Sequence, residues 1–234
     1  MSSYFDHFIL TQILSNYITD SFIILILTIS LYLIIKNNIY IIPFRYQYIF
    51  EIVLNHWKTV ILENLNKNNI YYFLPLCTLF LFLFGVNLLG FFTYTFPTTT
   101  HIFITFGLAF SIWLGVIIFG FYNYKLSFFS IFLPNGSPLG LAPLLITIEI
   151  ASNISRPIAL GMRLAANLTA GHILMAILSD FSSKLLYFTY GLSIIFPFLI
   201  IIFMTILEIG VLVIQAYVFC LLSMIYIKDS IELH

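Results

Sequence analysis

Glu149, Arg156, Arg163, His172 and Glu208 are ionisable side chains set inside long apolar stretches of this chain. Each would cost at least about 2.5–3.5 kcal/mol to place in hydrocarbon, so each is read first as functional. Glu149, Arg156 and Arg163 recur at seven-residue steps. On a helix each is rotated only about 20° from the last, so they share one face, with Asn153 and Asn167 close to it. His172 lies nine residues past Arg163, about half a turn round on the opposite side. Glu208, Gln215 and Asp229 fall on a second heptad stripe, with Leu222 at the missing step. That stripe covers about 31 Å of helix rise, close to the thickness of a bilayer's hydrocarbon. Two helices therefore carry polar rails, and His172 is placed to face Glu208.

A guanidinium does not lose its proton in a protein, so Arg163 cannot relay one. It can stay positive, attract a carboxylate and repel a mobile proton. An ion pair between Arg163 and Glu149 is ruled out by about 21 Å of helix rise. Snorkelling is the other bland reading, and the largely apolar residues on both sides speak against it. Arg156 is followed by Pro157 and stands two turns from Glu149. It is read either as that carboxylate's ion-pair partner or as a functional group, and its role stays open beside that of Asn153. His172 and Glu208 are groups whose proton affinity burial and neighbours can tune, as a relay requires. The blander reading of His172 is a hydrogen bond between helices.

The elements that must position these groups follow from composition. The chain is 62% hydrophobic and 8% charged, against about 25% charged in soluble domains. A bilayer is the solvent that makes such a chain sensible. A net charge of zero offers no basic field for nucleic acid. There is no Gly-rich phosphate loop, thiol pair or metal-ligand cluster, so neither a cofactor nor a metal is expected. Cys77 and Cys220 sit in apolar runs and are read as buried thiols.

The expected fold is all-α and integral to a membrane, one domain over residues 1–234, with about five crossings and one surface helix. Residues 13–35 form the first crossing. In residues 44–67 the apolar side chains recur at three- and four-residue steps, which predicts an amphipathic helix on the membrane surface with Trp57 at headgroup depth. Residues 71–121 form a two-helix pair, and 132–140 a Pro- and Gly-containing linker. Residues 141–228 hold two long segments separated by a turn at 181–187. The second runs roughly 43 residues, about 65 Å as a straight helix. It is either two crossings or one steeply inclined helix, bent at Pro197. Lys and Arg gather between crossings one and two and between three and four, which places the amino terminus outside and Lys228 inside.

Residues Ser155 to His172 (SRPIALGMRLAANLTAGH) and Leu207 to Phe219 (LEIGVLVIQAYVF) resemble the signatures of the F-type ATP synthase subunit a family, mitochondrial type. Asn87-Leu-Leu-Gly90 and Phe132-Leu-Pro-Asn-Gly-Ser-Pro138 fit the same pattern. The resemblance implies the long segments form an inclined hairpin against a ring of c subunits. It implies that Arg163 faces the ring's carboxylates, with Asn167 and Gln215 beside it. Glu208 and His172 then line an outer half-channel, and Glu149 and Asp229 an inner one. It implies a stator subunit that carries protons, has no catalytic site or cofactor of its own, and assembles with a peripheral stalk and other membrane subunits. The mitochondrial inner membrane is the implied location, an alphaproteobacterial plasma membrane the alternative. A secondary transporter or a proton-pump subunit of a respiratory complex is the rival function, and the absence of an internal repeat speaks against the first.

Overall fold

Long apolar runs in this chain close their backbone hydrogen bonds within each segment, which is what a helix does and what hydrocarbon demands. A computed structural model describes residues 12–15, 18–19, 22, 24–30, 45–65, 67–91, 98–132, 141–188 and 195–231. Residues 24–30 are helical (α1), followed by α2 (Arg45–Leu65), α3 (Phe73–Phe91), α4 (Ile102–Tyr124), α5 (Ala142–Phe188) and α6 (Ile195–Ile231). Among the described residues, 4 helical stretches are long and apolar enough to cross a membrane: Ile70–Phe91, Ile102–Tyr124, Ala142–Leu185 and Pro197–Ile231. The architecture is all-α apart from one small hairpin.

That hairpin corrects the expected start of the first crossing. Gln12–Ser15 (β1) pairs antiparallel with Ile18–Thr19 (β2), so the helix does not begin at Ile13. β-Branched residue types on both arms favour extended backbone over helix. The end of the expected first crossing, 31–35, lies outside the described residues, as do most of the 132–140 linker and 92–97.

The 181–187 turn is also absent, because α5 continues through it to Phe188. Its Ser-rich sequence reads as a break, yet the hydroxyls fold back on the helix itself. Ser179 donates to Ala176 O at 2.8 Å, Ser182 to Ser179 O at 2.7 Å and Ser183 to Asp180 O at 2.8 Å. Such bonds satisfy the side chain without ending the helix. Pro197 does not bend α6 either. It lies in the first turn, where a backbone N–H has no intrahelical acceptor to lose. The last segment is thus one continuous helix of 37 residues, about 55 Å long. With 47 residues in α5, both exceed the roughly 30 Å of hydrocarbon by a wide margin.

The described residues group into two compact units. One draws on Met1–Ile39, Leu81–His101 and Leu164–Tyr217, the other on Tyr40–Phe80, Ile102–Arg163 and Val218–His234. In the second unit α2 buries its apolar stripe at four-residue steps. Trp57 is 1% exposed with its ring 5.2 Å from that of Phe80. Ile61 and Leu65 join Leu76 and Met224 in a buried cluster. Trp57 therefore packs against α3 in the core of this unit. Each such aliphatic side chain contributes about 1.5–3 kcal/mol relative to exposure in water. Gly161 of α5 lets α4 come close, since a Cβ there would stand 3.3 Å from Phe106 Cα. Small residues at such crossings permit backbone approach. In the first unit Thr28 of α1 lies at ordinary contact from Gly85 of α3, 3.7 Å from a Cβ built there.

Candidate functional site

In the second unit, the heptad step puts Glu149 and Arg156 on one face of α5. Arg156 Nη2 stands 3.9 Å from Glu149 Oε1. Its Nη1 reaches further and donates to Asp229 Oδ2 of α6 at 3.0 Å. The guanidinium also lies over the Tyr226 ring, 5.4 Å from its centroid. Tyr226 and Asp229 are three residues apart, hence on one face of α6. Arg156 is thus the hub that brings Glu149 and Asp229 together. Behind it, Trp113 Nε1 of α4 donates to Asn153 Oδ1 at 3.0 Å. Asn153 is fixed by an indole, and its helix neighbour Pro157 offers no N–H to the Asn153 carbonyl.

Arg163 is different. Its side chain is exposed, and it forms no hydrogen bond or ion pair with any described residue. A permanent cation with no anion among the described residues of its own chain, flanked by apolar residues, is costly unless another group supplies the counter-charge.

In the first unit, α5 and α6 meet again. Asn167 Nδ2 donates to Gln215 Oε1 at 2.9 Å, and Gln215 is 7% exposed. Two turns along, the Glu208 carboxyl lies against the α5 backbone at Gly171. A Cβ at that position would come within 2.5 Å of Glu208 Oε1 and 3.0 Å of its Cδ. Only glycine leaves that space. Glu208 Oε1 is buried without a hydrogen-bond partner among the described residues. His172 Nε2 is 2.9 Å from Gly90 O of α3. A carbonyl only accepts, so Nε2 carries the proton of the neutral ring and Nδ1 is the atom that gains a further one. The imidazole thus reaches α3, while the Glu208 carboxyl meets α5 at Gly171, the residue before the histidine.

Gly90, Gly171, Asn87, Tyr226 and Trp113 were not singled out as site residues by spacing. The available signal was weak. Asn87 is a polar residue in an otherwise apolar span, and it is 1% exposed with its Oδ1 unpartnered among the described residues. The glycines act through a carbonyl and an absent side chain, which no pattern of side-chain types displays.

A family model described as ATP synthase A chain matches residues 18–228. The chain belongs to the ATP synthase subunit a family. ATP synthase subunit a of Metridium senile is 45% identical to it over 233 residues, spanning 100% of this chain and 99% of its own. Those of Trichophyton rubrum and Mycosarcoma maydis are each 40% identical, spanning 89% of this chain and 83% of their own. These animal and fungal relatives place it with the mitochondrial-type members of subunit a. A subunit a is the proton-translocating stator subunit of the F-type ATP synthase. This one is accordingly a multi-pass membrane protein that works with the other subunits of that enzyme. The rival readings, a secondary transporter or a respiratory pump subunit, are set aside.

Proposed function

We propose that this chain delivers protons to and from carboxylates on a ring of c subunits through two offset half-channels in the mitochondrial inner membrane. Arg163 is the group that faces the ring. A proton from the outer side passes by Glu208 and His172 to a rotor carboxylate, which then becomes neutral. Only the neutral form can turn into lipid, where its charged form is too costly. After nearly a full turn the carboxyl releases its proton on the inner side, beside Glu149 and Asp229. Arg163 then holds the ionised carboxylate in transit and repels protons that would leak straight across. Asn167 and Gln215 order the α5–α6 contact next to it. The membrane potential drives the motion at about 2.3 kcal/mol per charge per 100 mV. Nucleotide chemistry belongs to partner subunits, and a peripheral stalk keeps this chain from turning with the ring. The helix α2 and the long α5–α6 hairpin, inclined because both helices exceed the bilayer, frame the path.

The observation that carries this reading is the exposed Arg163 with no anion among the described residues of its own chain. Its test is Arg163→Ala in the whole enzyme reconstituted in vesicles. Proton-driven ATP synthesis is expected to vanish while the complex still assembles; coupled synthesis at the unaltered rate would remove Arg163 from the path.

A further inference from the structure

Glu149 and Asp229 do not hold Arg156 in the same way. Asp229 receives a charge-assisted hydrogen bond of 3.0 Å, whereas Glu149 Oε1 stands off at 3.9 Å, beyond hydrogen-bond range. Tyr226 covers the guanidinium at 5.4 Å, so α6 grips Arg156 with two side chains of one face. Charge adds a second constraint. Two carboxylates and a guanidinium that cannot give up its proton sum to one negative charge. A single added proton makes these three groups neutral, and a second would leave the guanidinium without a carboxylate counter-ion. Placing that proton on Asp229 would take the charge from the short bond and remove the counter-ion of Arg156, whereas placing it on Glu149 leaves that charge-assisted bond intact.

Resting on the half-channel reading above, we propose that Glu149 alone takes and releases the transferred proton, while Asp229 stays ionised as the fixed counter-ion that, with Tyr226, positions Arg156 beside it. In the transfer, the O–H bond of a neutral rotor carboxyl breaks and one forms at a Glu149 carboxylate oxygen. The proton then leaves Glu149 for water on the inner side, and Glu149 returns to a carboxylate. Arg156 neither gives nor takes a proton; it is a positioning residue.

The experiment uses the whole ATP synthase in vesicles, with proton-driven synthesis read per assembled complex. Glu149→Gln lowers the rate about a hundredfold, the low end of what a positioned proton-transfer group contributes, and Glu149→Asp restores part of it. Asp229→Asn also lowers the rate, because it leaves Arg156 without its counter-ion. Adding Arg156→Gln to Asp229→Asn then recovers about tenfold of that loss, since removing both members of an ion pair leaves neither charge unpaired. Adding Arg156→Gln to Glu149→Gln recovers nothing. If the Arg156→Gln, Asp229→Asn complex is as inactive as Glu149→Gln, Asp229 is itself a carrier and the assignment is overturned. A second measurement needs no variant. A hydrophobic carbodiimide, which attacks protonated carboxyls, is applied to the unaltered complex and this chain's peptides are read by mass spectrometry. An adduct at Glu149 with Asp229 spared supports the division, and an adduct at Asp229 with Glu149 spared reverses it. The wider reading fails separately: an Arg163→Ala complex that still makes ATP sinks the half-channels, whereas an inactive one beside an unimpaired Glu149→Gln complex removes only the division proposed here.

Discussion

Around His172 and Glu208 the polar groups rest on backbone and on neutral amides. Around Arg156 they are opposite charges in contact. Gly90 O orients the imidazole, the bare backbone at Gly171 receives the carboxyl, and Asn167 bonds Gln215 without any formal charge. In the other region a guanidinium ties two carboxylates and an aromatic ring. The difference teaches how each is retained in an apolar chain. A lone carboxyl such as Glu208 is tolerable when it can be neutral, and a backbone cradle fixes its place without fixing its charge. A guanidinium has no neutral form, so its region must be built from compensating charges.

The contrast can be broken most forcefully at Glu208. Glu208→Gln is expected to slow proton uptake from the outer side about a hundredfold with the complex intact. Unchanged uptake in vesicles would leave the cradle without a chemical role. Unlike the loss at Asp229, this one is not recovered by neutralising any second residue, because Glu208 has no partner charge among the described residues.

A smaller effect is expected from Gly171→Ala. The new methyl would meet Glu208 Oε1 at 2.5 Å, so the carboxyl must move. Proton uptake should fall about tenfold, within the loss that a misplacement near 1 Å produces. Normal uptake with alanine would mean that the carboxyl has another seat.

Stability changes sharpen the comparison further. Asn167→Leu deprives the buried Gln215 oxygen of its donor, which costs about 1–3 kcal/mol. It should lower the temperature at which the complex dissociates; an unmoved transition would show that the amide pair holds nothing. The mildest change is Trp113→Phe beside the charged cluster. It removes one bond to Asn153 at a cost of about 0.5–1.5 kcal/mol. The readout is again the dissociation temperature, and a shift larger than that from Asn167→Leu would reverse the ranking of the two regions.

Much of this molecule follows from local properties of the chain. Composition fixed the solvent, because too few polar residues exist to keep such a surface wet. Helical period put Glu149 and Arg156 on one face and Glu208, Gln215 and Asp229 on another, since 3.6 residues per turn holds whatever packs against the helix. Turn-like residue types misled at 181–187, where the serines bond within α5, and the helix pattern misled at Ile13, where the backbone pairs as a hairpin.

Which faces meet is a non-local choice, and only the tertiary structure made it. Spacing offered Arg156 one carboxylate, yet α6 brings Asp229 closer than Glu149. Spacing puts Trp57 on the apolar stripe of α2, and only packing gives it Phe80 as its neighbour. Gly90 and Gly171 act through a carbonyl and an empty volume, which have no side-chain type to read. The sequence by itself decided the solvent and the chemistry available, because residue type and helical period are properties of the chain alone. The packed structure decided which of those groups come into contact, because that depends on distances between segments far apart along the chain.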